Sequence, residues 1–313
     1  MRATRILLPL FRHSLLIGLS FVILYPVLFM LTNSFMPHEQ LRDPSVVWLP
    51  RSLTLQNFRD IMEVMDYFGA LINTVLYTVM PTFLQIGVCL MVGYGFARFR
   101  FPFKNFLFGL VILTVIIPPI SLSTGLFRIF FNFNPLGILG FLHWATGGAV
   151  PESVNLIGSR VVTFIPAAFA ASLRSGIYIL IFRQFFASMP KELEEASRID
   201  GAGPFRIFSS VMLPNATNIA LTTLMLAIVW NWNDFYTAAT YLRPRATIAT
   251  SLSEVQSLLQ NLPSVLGGYT NLTIVTTRIQ AACLLGIAPL LLMYVFLQDK
   301  LAESIESAGL TGM

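Results

Sequence analysis

Six stretches of this chain, at about residues 14–34, 69–95, 105–127, 161–184, 215–236 and 279–298, are each long and apolar enough to cross a bilayer as a helix. A spanning helix needs roughly 20 mainly apolar residues, because lipid offers no partner for backbone N–H and C=O groups and the segment must satisfy them itself. Composition points the same way. Of the 313 residues, 55% are hydrophobic and only 11% charged, too few charges to cover a soluble globule of that size. The chain is therefore expected to be an all-α membrane protein: one transmembrane domain over residues 1–313, with about six spans and no soluble domain large enough to bury its own core.

An even number of spans puts both termini on one side. Arg98, Arg100 and Lys104 flank the second connection with no acid nearby, so the positive-inside rule makes that loop, and both termini with it, cytoplasmic. Arg2, Arg5 and Arg12 precede the first run in the charge order of a signal peptide. The run is too long for one, and no small-residue cleavage site follows, so it reads as a retained span. The net charge of +5 sits largely beside apolar runs, which fits membrane lipid and not nucleic acid. The external connections, at 35–68, 128–160 and 237–278, are long and punctuated by proline and glycine, among them Gly267-Gly268. They either cap the external mouth and touch a soluble partner or are plain surface loops.

Between the fourth and fifth runs lies a charged island, residues 190–214, which this topology places in the cytoplasm. Pro190 suits a first helical position, and Glu192, Glu194 and Glu195 fall in the early turns, where carboxylates favour the positive helix end. Gly201 supplies a left-handed stop, Pro204 opens a second helix, and that helix is expected to end before Pro214. Leu193, Ala196, Ile199 and Asp200 share helical spacing, so one face can pack on protein while Lys191, Glu194 and Arg198 stay solvated.

Glu195-Ala196-Ser197, then Gly201, then Val211-Met212-Leu213-Pro214, resembles the EAA loop of permease subunits from binding-protein-dependent ATP-binding-cassette importers. With Ile199-Asp200-Gly201-Ala202 the string is similar to the carbohydrate branch, specifically the maltose-type second permease. Ser197 stands where a second alanine is usual and Val211 where isoleucine is usual; both changes are small and conservative. Trp48-Leu49-Pro50, Ala97-Arg98-Phe99-Arg100-Phe101-Pro102 and Trp232-Asn233-Asp234-Phe235 extend the likeness over nearly the whole chain. The resemblance implies a type I importer fold in a bacterial or archaeal inner membrane. It implies as partners an ATPase dimer, a homologous second permease subunit and an extracytoplasmic solute-binding protein. It also implies coupling to the ATPase through Glu195, Ala196, Ser197, Asp200, Gly201, Ala202, Leu213 and Pro214. The expected cargo is a sugar or oligosaccharide, the alternatives being a non-sugar solute such as a glycerol-phosphate ester, or a secondary transporter.

Catalytic chemistry has little to stand on. A phosphate-cradling loop needs Gly-Lys-Ser/Thr before a helix, and no Gly-Lys pair occurs in the chain, so it is not expected to hydrolyse ATP alone. Gly93-Tyr94-Gly95 is a lone pair of glycines in an apolar run and reads as close helix packing. His13, His38 and His143 are far apart, and Cys89 and Cys283 have no Cys-x-x-Cys partner, so no metal, cofactor or catalytic residue is expected. Polar groups inside spans say more. Arg174, mid-way along the fourth run, would cost roughly 2.5–3.5 kcal/mol against lipid and must face inward, where it either lines the solute path or pairs with a polar neighbour. Asn231, Trp232, Asn233 and Asp234 combine hydrogen-bonding groups with aromatic faces, the mixture that binds sugars, although aromatic belts at membrane interfaces look similar.

Overall fold

The computed structural model describes residues 2–46, 49–261 and 272–310; Trp48 and Gly267-Gly268 lie outside them. The described residues form helices α1 (Arg2–Ser34), α2 (Gln56–Val64), α3 (Tyr67–Arg98), α4 (Lys104–Ile116), α5 (Pro119–Phe131), α6 (Ile138–Ala145) and α7 (Val161–Ala168). They continue with α8 (Ser175–Ser188), α9 (Glu192–Ile199), α10 (Pro204–Asn215), α11 (Thr217–Trp232), α12 (Phe235–Tyr241), α13 (Ile248–Asn261) and α14 (Leu272–Leu310). Among the described residues the β-type pairing is an isolated bridge between Phe133 and Val154.

The six apolar runs do not become six uniform helices. Pro9–Ser34, Tyr67–Arg98 and Val275–Lys300 are uninterrupted apolar segments of α1, α3 and α14. The third run breaks at a double proline: Pro118 is held extended (φ −62°, ψ 130°), and α5 leaves α4 at 103°. The fifth run likewise breaks at Ala216, with 75° between α10 and α11. The fourth run divides into α7 and α8 around residues 169–174, where Ala170 and Arg174 adopt positive φ, 50° and 62°. Arg174 therefore sits at a helix break, immediately before α8, and not in mid-helix as its place in the run suggested.

Two wider π-turns show how prolines are carried inside helices. Val75–Val79 precedes Pro81, and Phe208–Met212 precedes Pro214. A proline ring collides with the carbonyl four residues back in an α-turn; those residues, Tyr77 and Ser210, fall within the widened turns. The Asn215 side chain then bonds the Val211 carbonyl at 2.7 Å. For this reason α10 runs through Pro214 instead of ending before it, as the sequence alone suggested.

The chain divides into two compact units, Met1–Phe68 with Ser251–Leu291, and Gly69–Thr250 with Leu292–Met313. The first has a core of Ile61, Met65, Val255, Leu259, Val275 and Ala282. A polar knot lies beside it: Asn57 of α2 donates to the carbonyls of Ser34 and Met36, both at 2.9 Å, and Arg278 of α14 donates from Nε to Asp60 at 2.8 Å. Each buried charge there is neutralised by the other. Among the described residues nothing buries the most apolar 18-residue window of α1, which leaves that window for lipid or another subunit.

The second unit is organised by the crossing of α3 and α8. A Cβ on Gly93 would lie 2.6 Å from the Phe182 Cβ and 3.0 Å from the Arg183 backbone nitrogen, so only glycine permits this approach. Gly176 plays the same part against α4, where Thr114 Oγ1 lies 2.5 Å from the position of such a Cβ. Tyr94, Tyr178, Phe182, Phe186, Phe208 and Met212 fill the core around these contacts.

Candidate functional site

The island forms a helix, a tight turn and a helix. α9 starts at Glu192 with Lys191 as its capping residue, so Pro190 lies just outside it and not in its first turn. Glu192, Glu194 and Glu195 occupy the first turn and Arg198 the last, matching the helix dipole at both ends. The C-terminus closes in a Schellman arrangement: Ala202 N–H bonds the Ser197 carbonyl, Gly201 N–H bonds that of Arg198, both at 3.0 Å, and Gly201 has φ +77°. Gly203 is then extended, and Pro204 takes the first position of α10, where its missing N–H costs nothing.

The faces of α9 are distributed differently from the sequence expectation. Glu194, expected in solvent with Lys191 and Arg198, is 6% exposed. It turns inward because Arg98, at the end of α3, awaits it: Arg98 Nε lies 3.2 Å from Glu194 Oε1, and the same guanidinium donates to the Met189 carbonyl at 2.6 Å. Arg198 approaches the other carboxylate oxygen from outside at 3.4 Å. Leu193, Ala196 and Asp200 stand exposed, and Ile199 and Phe205 are 86% and 78% exposed. Glu195 and Gly201 share this outward position, while Ser197 is half-buried with its hydroxyl bonded to the Leu193 carbonyl at 2.9 Å. Ala202 packs on the edge of the core, and Leu213 and Pro214 lie at the far end of α10, beside the bend into α11. In the sequence Arg98 marks orientation and belongs to the Ala97–Pro102 string, and neither reading pairs it with Glu194. Its meeting with Glu194 depends on the path of the chain between α3 and α9, which no local spacing encodes.

A second polar cluster surrounds the break in the fourth run. Gln85 of α3, fully buried, donates to the Leu173 carbonyl and to Ser175 Oγ, each at 2.8 Å. Asn231 of α11 donates to Thr82 Oγ1 at 2.8 Å and to Gln85 Oε1 at 3.2 Å. These bonds hold the irregular backbone before α8 against two other helices. Arg174 emerges from the break exposed, its guanidinium 4.7 Å from the centroid of the Trp230 ring, which also stacks with Tyr178. The four adjacent residues at 231–234 do not act as one cluster. Asn231 locks helices together, Trp232 is buried, exposed Asn233 bonds the Val229 carbonyl at 2.9 Å, and Asp234 caps α12 by accepting from Thr237 N–H at 3.1 Å. Gln85 and Trp230 carry this region instead; the polar Gln85 in an otherwise apolar run was the signal for the first.

A family model described as "Binding-protein-dependent transport system inner membrane component" matches residues 85–307. The chain is 26% identical over 289 residues to the trehalose transport system permease protein SugB of Mycobacterium tuberculosis, covering 92% of this chain and 93% of that one. It is also 26% identical over 310 residues to the arabinooligosaccharides transport system permease protein AraQ of Halalkalibacterium halodurans, covering 97% and 98%. The sn-glycerol-3-phosphate transport system permease protein UgpE of Pectobacterium atrosepticum is 26% identical over 298 residues, 93% of each chain. Among solved structures, a bacterial ABC transporter involved in the import of the acidic polysaccharide alginate shares the fold, with TM-score 0.70 and 20% identity over 96% of this chain and 98% of that one.

Proposed function

Because the chain belongs to the family of binding-protein-dependent transport system inner membrane components, and is thus a permease of an ATP-binding-cassette importer, we propose that its cargo is a sugar or oligosaccharide handed over by an extracytoplasmic binding protein. The names of the trehalose and arabinooligosaccharide relatives support that cargo. The chain pairs with a homologous permease, and α9 docks on an ATPase subunit through Glu195, Ala196, Ser197, Asp200, Gly201 and Ala202. ATP binding closes the ATPase dimer and draws the docked helices together, which turns the spans from inward- to outward-facing; hydrolysis releases them. Six crossings with both termini cytoplasmic complete this reading, the broken runs each counting as one.

The observation that carries it is the outward face of α9 and its turn. Ile199 and Phe205 are 86% and 78% exposed on a capped element tied to Arg98, and large apolar groups held in the open in this way mark a surface for a partner. Purifying the tagged chain with its genomic neighbours tests it. An ATPase subunit should co-elute, and the double change Ile199→Asp with Phe205→Asp should release it while the companion permease stays bound. A wild-type complex without an ATPase would refute the proposal. The name of the glycerol-3-phosphate relative, with exposed Arg174 here, favours a phosphate ester as the second reading. Identifying the ligand of the cognate binding protein decides between the two.

A further inference from the structure

Of the eight residues of α9, Glu194 alone is buried. A helix this short does not hold itself together in water, and α9 offers the core no large apolar anchor, so its attachment to the spans runs through one carboxylate. Arg98 meets that carboxylate and, with its other arm, the carbonyl of Met189 at the joint between α8 and α9. The two side chains are 6% and 8% exposed. Tyr94, one turn before Arg98 on α3, packs its ring between Phe186 of α8 and Phe208 of α10 at 5.3 and 5.1 Å. Neither Arg98 Nε nor Glu194 Oε1 gains an aligned hydrogen bond at this contact. A buried ion pair of that kind adds little net stability compared with an apolar contact of the same size, yet it fixes relative position strongly, since separating the charges leaves each uncompensated.

We infer that Arg98 and Glu194 are positioning residues of the coupling step: their contact binds α9 to α3 and to the α8–α9 joint, so that α9, pulled by its ATPase, moves as one body with these spans. This rests on the docking of α9 proposed above. The pair touches neither nucleotide nor cargo; it acts by denying α9 any freedom to swing on the linker at Met189-Pro190.

The test uses the whole importer, purified with its ATPase subunits and companion permease, and only ATP and vanadate as probes. Cysteines replace exposed Phe83 on α3 and exposed Glu192 on α9, in a chain carrying Cys89→Ser and Cys283→Ser, and take nitroxide labels. Phe83 lies about 22 Å along α3 from Arg98, which gives a distance that pulsed electron resonance can read. With the pair intact, one narrow distance should be found, the same without nucleotide and in the ATP–vanadate state. Arg98→Gln and Glu194→Gln should each add a second, displaced population in the ATP–vanadate state while the ATPase still co-purifies. Arg98→Lys keeps the charge but cannot reach carboxylate and carbonyl together; it should give an intermediate result and carries the test if the glutamine variants do not assemble. A distance that shifts with the pair intact, or one that stays narrow and fixed in the variants, overturns the inference and leaves the docking reading standing. Loss of the ATPase from the pair-intact complex overturns both.

Discussion

Gly201 offers a perturbation whose effects on backbone and on partner can be separated. It closes α9 with φ +77°, and a Cβ built there meets no heavy atom of the described residues beyond its chain neighbours within 4 Å. Own-chain cost is therefore pure backbone strain, with no overlap to relieve. An L-residue held left-handed costs about 1–2 kcal/mol, so Gly201→Ala should shift the local balance between closed and frayed turn by about fivefold or more. Valine, β-branched, belongs at the upper end of that range, whereas asparagine tolerates the left-handed region. Each variant should insert and express, because Gly201 is itself exposed and of this turn only Ala202 reaches the edge of the core. ATPase capture in pull-down, measured beside the ratio of ATP hydrolysis to uptake of the sugar carried by the binding protein, should fall in the order Gly, Asn, Ala, Val. Asparagine as poor as valine would show that bulk at the interface, and not backbone strain, sets the effect. Normal capture and a normal ratio for Gly201→Val would show that the turn is neither strained nor at an interface.

Orientation is tested by labelling: Asn105→Cys should be protected from an impermeant thiol reagent in intact cells and Ser45→Cys should react, and the reverse pattern would invert the topology and remove α9 from the cytoplasm. Asn231→Leu strands the buried Gln85 Oε1, while Thr82 keeps its bond to the Thr78 carbonyl, and should cost about 1–3 kcal/mol, read as a lower melting temperature in detergent. Asn233→Leu, which gives up only a bond within its own helix, should stay within about 0.5 kcal/mol; equal shifts would refute the lock. Gly93→Val must displace the Phe182 backbone region and should cost about 1–3 kcal/mol, while Gly95→Ala, whose Cβ would meet only a Phe99 ring carbon at 4.0 Å, should be silent; equal stability of the two would deny the close crossing.

What could be read from the sequence was local. Hydropathy marked where helices lie, glycine at 201 and proline at 204 marked the turn of the island, and the close-packing reading of Gly93 needed only a small residue in an apolar run. What could not be read was relational. The run at 161–184 looks continuous because residues 169–174 are apolar or small apart from Arg174, and its break is held by Gln85 and Asn231, which lie 88 and more than 50 residues away in sequence. A glutamate on a short amphipathic helix such as Glu194 is ordinarily solvated; only the position of Arg98 reverses that. The polar string at 231–234 misled in the opposite direction, since adjacency along a helix end sends successive side chains to different faces.

The two buried carboxylates among the described residues bear on how such a protein can be driven. A proton-coupled carrier commonly uses an intramembrane acidic group that loads and unloads a proton during each cycle. Asp60 is committed to Arg278, and Glu194 to Arg98. Each is already neutralised by a guanidinium, so loading a cation there would first require breaking a buried pair and stranding an arginine. Both acids are thus placed as structural ties. Asp60 instead ties α2 to α14, and Glu194 ties α9 to α3, which are positions where stiffness is useful and charge exchange is not. Under the proposed docking of α9 on an ATPase, buried charges spent on rigidity suit a permease that receives its free energy as mechanical work, and α9, the exposed element that Glu194 holds to the spans, is where that work would enter.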